Sequence, residues 1–223
     1  PDGFVYANDI NEAINMIDDT TVGVMLELIQ GEGGIFMQDI FQVQRLERIL
    51  KEKKLLLIID EIQTGVYRSG NFLISQYFGI KPDIVTLAKG LASGIPIGVM
   101  MTSLKDIFTF GDHGSTFGGN HLSTTVCKAV LKILEKYSNS GKLSENIKYF
   151  NSCLQYFTDK YPNIFLQKNG WGFMQGLVLK NENDLSNIVN LALKNGVLVL
   201  KSGKNIIRFL PPIIISKKEI KEG

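Results

Sequence analysis

The sequence is poor in the residues that build covalent or metal frameworks. Its 223 residues include two cysteines, Cys127 and Cys153, and two histidines, His113 and His121. Two cysteines make no disulfide framework and read as packed free thiols in a reducing compartment. Two histidines beside them leave little from which to build a zinc site, so no metal is expected. An excess of one charge is also missing: 24 Lys and Arg stand against 22 Asp and Glu, a net charge of +2. That balance excludes the basic footprint of a nucleic-acid or anionic-membrane binder. The apolar runs, such as 55–59 and 213–215, fall far short of the roughly 20 residues of a membrane-spanning helix. No charged-then-apolar leader opens the chain, which sets the expectation of a cytoplasmic protein. Repeats and low-complexity tracts are lacking.

What is present is ordinary globular composition, 44% hydrophobic and 21% charged, enough for one large domain or two small ones. Pro1 rather than methionine opens the chain, and residues 2–9 read as a connecting loop. Residues 216–220 read as a helix cap and first turn. The expectation is a piece of a longer chain. Between these ends, strands and helices alternate. Residues 22–28, 55–59, 84–87 and 97–101 read as aliphatic strands, and 38–53 as an amphipathic helix with basic residues crowding its end. Continuous rather than alternating apolar strands mark a mostly parallel sheet covered by helices, an α/β fold. Beyond Asn120 the texture changes. Residues 122–137, 143–160 and 184–195 read as helices, and 172–179, 197–200 and 206–209 as strands. The expected division is a larger domain over 1–125 and a smaller α/β domain over 126–223.

In open α/β sheets, ligands sit outside the carboxyl ends of the strands. Asp60 and Lys89 stand at two such ends, 29 residues apart, enough for one crossover. The pattern leaves a salt bridge and a catalytic pair equally open. The setting of Lys89 favours chemistry: it stands between an apolar strand and the loop 90–96. A desolvated lysine loses part of its proton affinity and becomes a usable amine nucleophile. Arg208 lies in the apolar strand 206–210 and must be paired or face a cleft, because burying a lone charge is costly. Thr116 sits in a glycine-rich loop, which suits either a phosphate or an ordinary turn.

These residues carry a resemblance. The segments Leu26-Glu27-Leu28-Ile29-Gln30-Gly31-Glu32-Gly33-Gly34, Ile59-Asp60-Glu61-Ile62-Gln63-Thr64-Gly65 and Leu87-Ala88-Lys89-Gly90-Leu91 are three of its motifs. Gly114-Ser115-Thr116-Phe117-Gly118-Gly119-Asn120 and Arg208-Phe209-Leu210-Pro211-Pro212 complete it. In order and spacing the chain resembles, over its whole length, the class III aminotransferases, pyridoxal 5'-phosphate enzymes of fold-type I. The likeness implies that 1–125 is the carboxyl-terminal portion of a cofactor-binding domain. It implies that Lys89 holds the cofactor and later moves a proton, and that Asp60 pairs with the pyridine nitrogen. Ile62, in place of a usual valine, would pack on the ring, and Gln63 would bond its phenolic oxygen; the plain alternative for Gln63 is a turn residue. Ser115 and Thr116 would bind the phosphate in a neighbouring subunit, making a homodimer with a shared site. Arg208 would clamp a substrate carboxylate, with Glu27 pairing with it or its neighbourhood and swinging aside for 2-oxoglutarate.

The implied reaction passes the ω-amine of N-acetylornithine to 2-oxoglutarate, a step of arginine biosynthesis, with amino acids and 2-oxo acids as partners. Ornithine or 4-aminobutyrate as donor, an aminomutase, and a non-catalytic fragment are the alternatives. A nucleotide-binding domain is weaker, since no G-x-G-x-x-G follows the first strand. Departures from the family pattern are Leu28 and His121 for usual prolines, Tyr67 for a glycine, and Asn169-Gly170-Trp171 for a basic-glycine pair. The family's N-terminal phosphate loop and the aromatic ring that stacks on the cofactor are not in the sequence.

Overall fold

A computed structural model describes residues 2–223. A short helix α1 (Ile10–Asn15) leads into β1 (Gly23–Leu26) and a small antiparallel ribbon of β2 (Ile29–Gln30) and β3 (Phe36–Met37). Helix α2 (Ile40–Lys53) follows. Asp39 caps its start by accepting from the Gln42 amide at 2.9 Å, and Lys54 ends it in a left-handed conformation. Val43, Leu46 and Leu50 form its buried stripe, and Lys51 and Lys53 lie in its last turn, where the helix dipole favours cations. Strand β4 (Leu56–Asp60), helix α3 (Ile74–Phe78), strand β5 (Ile84–Leu87) and strand β6 (Val99–Thr102) complete the first half. The sheet order is β1-β4-β5-β6, parallel between β1, β4 and β5 and antiparallel at β6.

Two long helices come next, α4 (His121–Asn139) and α5 (Lys142–Lys160). Helix α4 packs Leu134, Val130, Leu131 and Cys127 against Val85, Leu87 and Val99 of the first sheet. A boundary at residue 125 therefore falls inside a helix that leans on the first sheet. The second half holds β7 (Phe165–Trp171), β8 (Met174–Leu179), α6 (Leu185–Lys194), β9 (Leu200–Ser202), β10 (Ile206–Phe209) and a terminal α7 (Lys217–Glu222). Its sheet is wholly antiparallel, in the order β7-β8-β10-β9. The aliphatic pattern of 172–179 reflects burial of β8 on both faces: all six of its residues are buried.

The two halves share one core. Met174, Val178 and Ile206 of the second sheet pack in the same cluster as Leu28, Ile29, Ile35, Leu57 and Ile59 of the first half. The seam is tight at the β7–β8 turn. Gly172 has φ +63°, and a Cβ there would lie 2.5 Å from the Ser69 carbonyl carbon. Its neighbour Phe173 donates its amide to Arg68 O at 2.9 Å. Gly172→Ala meets both a left-handed backbone and a backbone wall, and is expected to cost about 2 kcal/mol or more. Gly98 has open space around it, so Gly98→Ala should stay within about 0.5 kcal/mol of the parent. Urea unfolding of both variants checks the contrast; equal midpoints would refute the account of the seam.

Candidate active site at the carboxyl edge of the first sheet

Strands β4 and β5 run parallel with Asp60 opposite Thr86. Lys89, three residues beyond Thr86, therefore emerges at the same edge as Asp60. The Asp60 carboxylate is fixed through one oxygen. Oδ1 accepts from the Ile62 amide at 2.8 Å and from the Thr86 hydroxyl at 3.2 Å. Among the described residues its Oδ2 has no hydrogen-bond partner and is free for a further group. Glu61, the next residue, turns the other way and is 1% exposed. It accepts from the Ile74 and Ser75 amides at 2.8 and 2.9 Å, capping α3, whose N-cap Leu73 has no polar side chain to do so. Burial pushes its carboxyl pKa up, against those same hydrogen bonds, with the Ser75 amide first. The cap anchors the turn that carries Ile62 and Gln63.

Lys89 opens a 3-10 turn over Lys89–Ala92 with φ +46°. The turn sends Leu91 and Ala92 into the core, and the lysine side chain faces outward and is exposed. The apolar enclosure expected from its neighbours is thus absent: those apolar residues take the inward positions and leave the amine to solvent. What marks the residue is its left-handed backbone, rare outside glycine and a form of local strain.

The amine lies on a cleft of about 180 Å³ that also holds Glu32, Ile62, Gln63, Arg68 and Arg208. Arg208, on β10, is 8% exposed. Its Nη1 donates to Gly31 O at 2.9 Å and to Glu32 Oε1 at 2.6 Å, while its Nε is buried with no partner. Gln63 Nε2 also donates to Glu32 Oε1, at 3.3 Å. The hydrogen bond from Arg208 lowers the Glu32 pKa, burial opposes it, and the Arg208 and Lys89 charges and the Gln63 bond lower it further. Arg68 donates to the carbonyls of Phe173 and Pro211, tying the first half to the second. Desolvation brings its pKa down to about 10.

Glu27, expected to pair with Arg208 or its neighbourhood, accepts from the Gly31 amide at 3.1 Å, and the carbonyl of the same Gly31 accepts from Arg208. The β2–β3 ribbon reverses the chain just after Gln30, so Glu32 at its tip, rather than Glu27 at its base, reaches the guanidinium. The signal for Glu32 was in the sequence: it is the one charged residue within the Gly31–Gly34 turn. Arg68 gave no comparable signal. Ser115 and Thr116 do not line this cleft. They are exposed, in a segment that also exposes Phe108, Phe110 and Phe117. His113 lies beside Phe108 and His121 begins α4, both apart from the cleft.

Comparison with known proteins bears on this arrangement. The aminotransferase class-III family matches residues 5–223. The chain is 49% identical to the acetylornithine aminotransferase of Wolinella succinogenes over all of its own length and 57% of that relative. It is 40% identical to the acetylornithine aminotransferase of Aquifex aeolicus, over 98% of this chain and 56% of the relative. Among solved structures, the ornithine aminotransferase of Toxoplasma gondii superposes with a TM-score of 0.86 at 30% identity, over 98% of this chain and 53% of that one. The N-acetylornithine aminotransferase of Stenotrophomonas maltophilia gives 0.85 at 30% identity, over 98% and 58%. The chain thus spans a little over half the length of these relatives.

The lowered pKa of Glu32 yields a prediction. Its folded value lies below the ordinary 4.5, so its pairing adds stability above that pH, lost as pH falls through the folded value. Glu32→Gln should therefore be less stable than the parent near neutrality, and the gap should close in acid. Chemical denaturation from pH 7 to pH 3 tests this; a gap constant across that range would refute it.

Proposed function

The chain belongs to the class-III aminotransferase family, and from that membership we propose that it forms the lysine-bearing part of an acetylornithine aminotransferase. The enzyme transfers the ω-amino group of N-acetylornithine to 2-oxoglutarate and yields glutamate. Its place is in arginine biosynthesis, and a cytoplasmic location is part of the same reading. Among the described residues no helix is long and apolar enough to cross a membrane. The observation that carries the proposal is one cleft lined by an amine and by a buried guanidinium paired with an exposed carboxylate.

The family works with pyridoxal 5'-phosphate, and the donor set fits the ring end of that cofactor. Lys89 offers a primary amine for its aldehyde. Asp60 offers Oδ2 for the ring nitrogen, its other oxygen being already spent on Ile62 and Thr86. Ile62 offers an apolar surface and Gln63 a side-chain amide. When bound, the cofactor supplies an electron-accepting ring that stabilises the carbanion left after the substrate carbon loses its proton.

The chain's own residues supply the rest. The Asp60 carboxylate keeps the ring nitrogen protonated. The Lys89 Nζ, once free, would carry the proton between the substrate carbon and the cofactor carbon C4′. Arg208 binds a carboxylate through donors it does not spend in the fold, Nε among them. Glu32 covers Arg208 while the donor is bound and leaves when a dicarboxylate arrives. Its side chain is 73% exposed against 10% for Arg208, so the carboxylate can swing into water while the guanidinium stays. A second copy of the chain completes the site, with Ser115 and Thr116 turned to the phosphate across the dimer. The exposed Phe108, Phe110 and Phe117 beside them suit such an interface. Ornithine is the second donor to consider, because solved ornithine aminotransferases superpose so closely.

Two measurements test the reading on the full-length protein with bound cofactor. Borohydride reduction and peptide mapping should place the adduct on Lys89, and Lys89→Ala should lose it; an adduct on another lysine overturns the assignment. Glutamate formation from 2-oxoglutarate should be at least tenfold more efficient with N-acetylornithine than with ornithine. Asp60→Asn should lower that rate about 100-fold or more. No glutamate from either donor would overturn the activity.

A further inference from the structure

Glu32 sits in the run Gly31-Glu32-Gly33-Gly34. Glycines on both sides leave its backbone little intrinsic direction, yet its carboxylate meets Arg208 at 2.6 Å. The direction comes from the other half of the molecule. Ser202 ends β9, pairs with Ile206 of β10, and is 3% exposed. Its hydroxyl accepts from the Gly34 amide at 3.1 Å and donates to Gly31 O at 2.9 Å, with Glu32 O further off at 3.4 Å. The next residue, Gly203, donates its amide to Glu32 O at 3.2 Å. Gly31 O and Glu32 O belong to the two peptide groups that flank the Glu32 Cα. Holding both restrains the backbone angles of Glu32 and therefore the direction in which its Cβ leaves the chain. Gly31 O also accepts from Arg208, so one carbonyl references the hydroxyl and the guanidinium to each other.

We infer that Ser202 is a positioning residue for Glu32, and that it sets how strongly Glu32 competes with an incoming dicarboxylate for Arg208. The inference deepens the functional reading above and rests on it for the meaning of the competition. Without the hydroxyl, the Gly34 amide loses its partner and the glycine-flanked turn loosens. The guanidinium, carried on a paired strand, stays in place. The masking carboxylate is then found less often on Arg208, and a competing carboxylate binds more tightly.

The test uses glutarate, an unreactive five-carbon dicarboxylate, titrated calorimetrically into the full-length protein with bound cofactor. Ser202→Ala should tighten glutarate binding roughly three- to tenfold, the effect of about one hydrogen bond. Glu32→Gln should tighten it at least as much. Adding Ser202→Ala to Glu32→Gln should change nothing further, because the hydroxyl acts through the carboxylate already removed. Ser202→Thr, which retains the hydroxyl, should bind glutarate as the parent does. If the alanine variant does not fold, Ser202→Cys, a weak hydrogen-bonder of similar size, carries the same comparison. An unchanged affinity in the Ser202 variant overturns the inference. So does an equal change in both backgrounds, which would mean a general packing effect. Equal glutarate affinity in the parent and Glu32→Gln removes the competition and the inference with it. A parent that makes no glutamate from N-acetylornithine refutes the activity separately, while the glutarate cycle still reports on Ser202.

Discussion

Two guanidiniums bridge the halves of the molecule, Arg68 through carbonyls and the buried Arg208 through a carboxylate as well. Arg208 stands on an antiparallel strand among apolar neighbours, where an unpaired charge would be very costly. Its partners come from the other half, at Gly31 O and Glu32. The tip of the β2–β3 ribbon and the second sheet therefore satisfy each other: the ribbon supplies partners for Arg208, and Ser202 and Gly203 bond the ribbon backbone. Breaking such a pair from the Glu32 side leaves a buried charge, whereas breaking it by substitution of both partners need not. The asymmetry of exposure matters more than the length of the bond. The arginine is confined and the glutamate is not, so the pair can open in only one direction.

The fixed and the movable parts of the cleft are divided in the same way. Asp60 is locked by a backbone amide and a neighbouring strand's hydroxyl, and the turn behind it is held by the buried Glu61. Around these lie three non-glycine residues with left-handed backbones: Val66, Tyr67 and Lys89. A β-branched valine in that region is a true outlier, and each such residue stores energy of order 1 kcal/mol or more. The Val66 amide is tied to Phe72 O at 2.7 Å, and Arg68 braces the same turn against the second half. The strain is thus held by surrounding bonds rather than relieved, and three of the seven such residues among those described lie around the candidate chemistry.

Legibility in the sequence followed the strength of local signals. The runs 84–87 and 206–209 match β5 and β10 to the residue, because each is short, rich in aliphatic residues and bounded by polar residues or turns. Strand β7, Phe165–Trp171, was not foreseen. Its Gln167, Lys168, Asn169 and Gly170 look like a loop, and pairing with β8 at the edge of the sheet overrides that propensity. Strand β9 lies later than the expected 197–200, at Leu200–Ser202. Motif spacing led to Asp60 and Lys89 at neighbouring strand ends of the first sheet and to Arg208 on β10 of the second. It could not separate Glu27 from Glu32, because the choice depends on a reversal between strands only two residues long. Ser202 was invisible for the same reason: a lone serine acquires meaning only when β9 is laid beside β10 and the ribbon is folded over both.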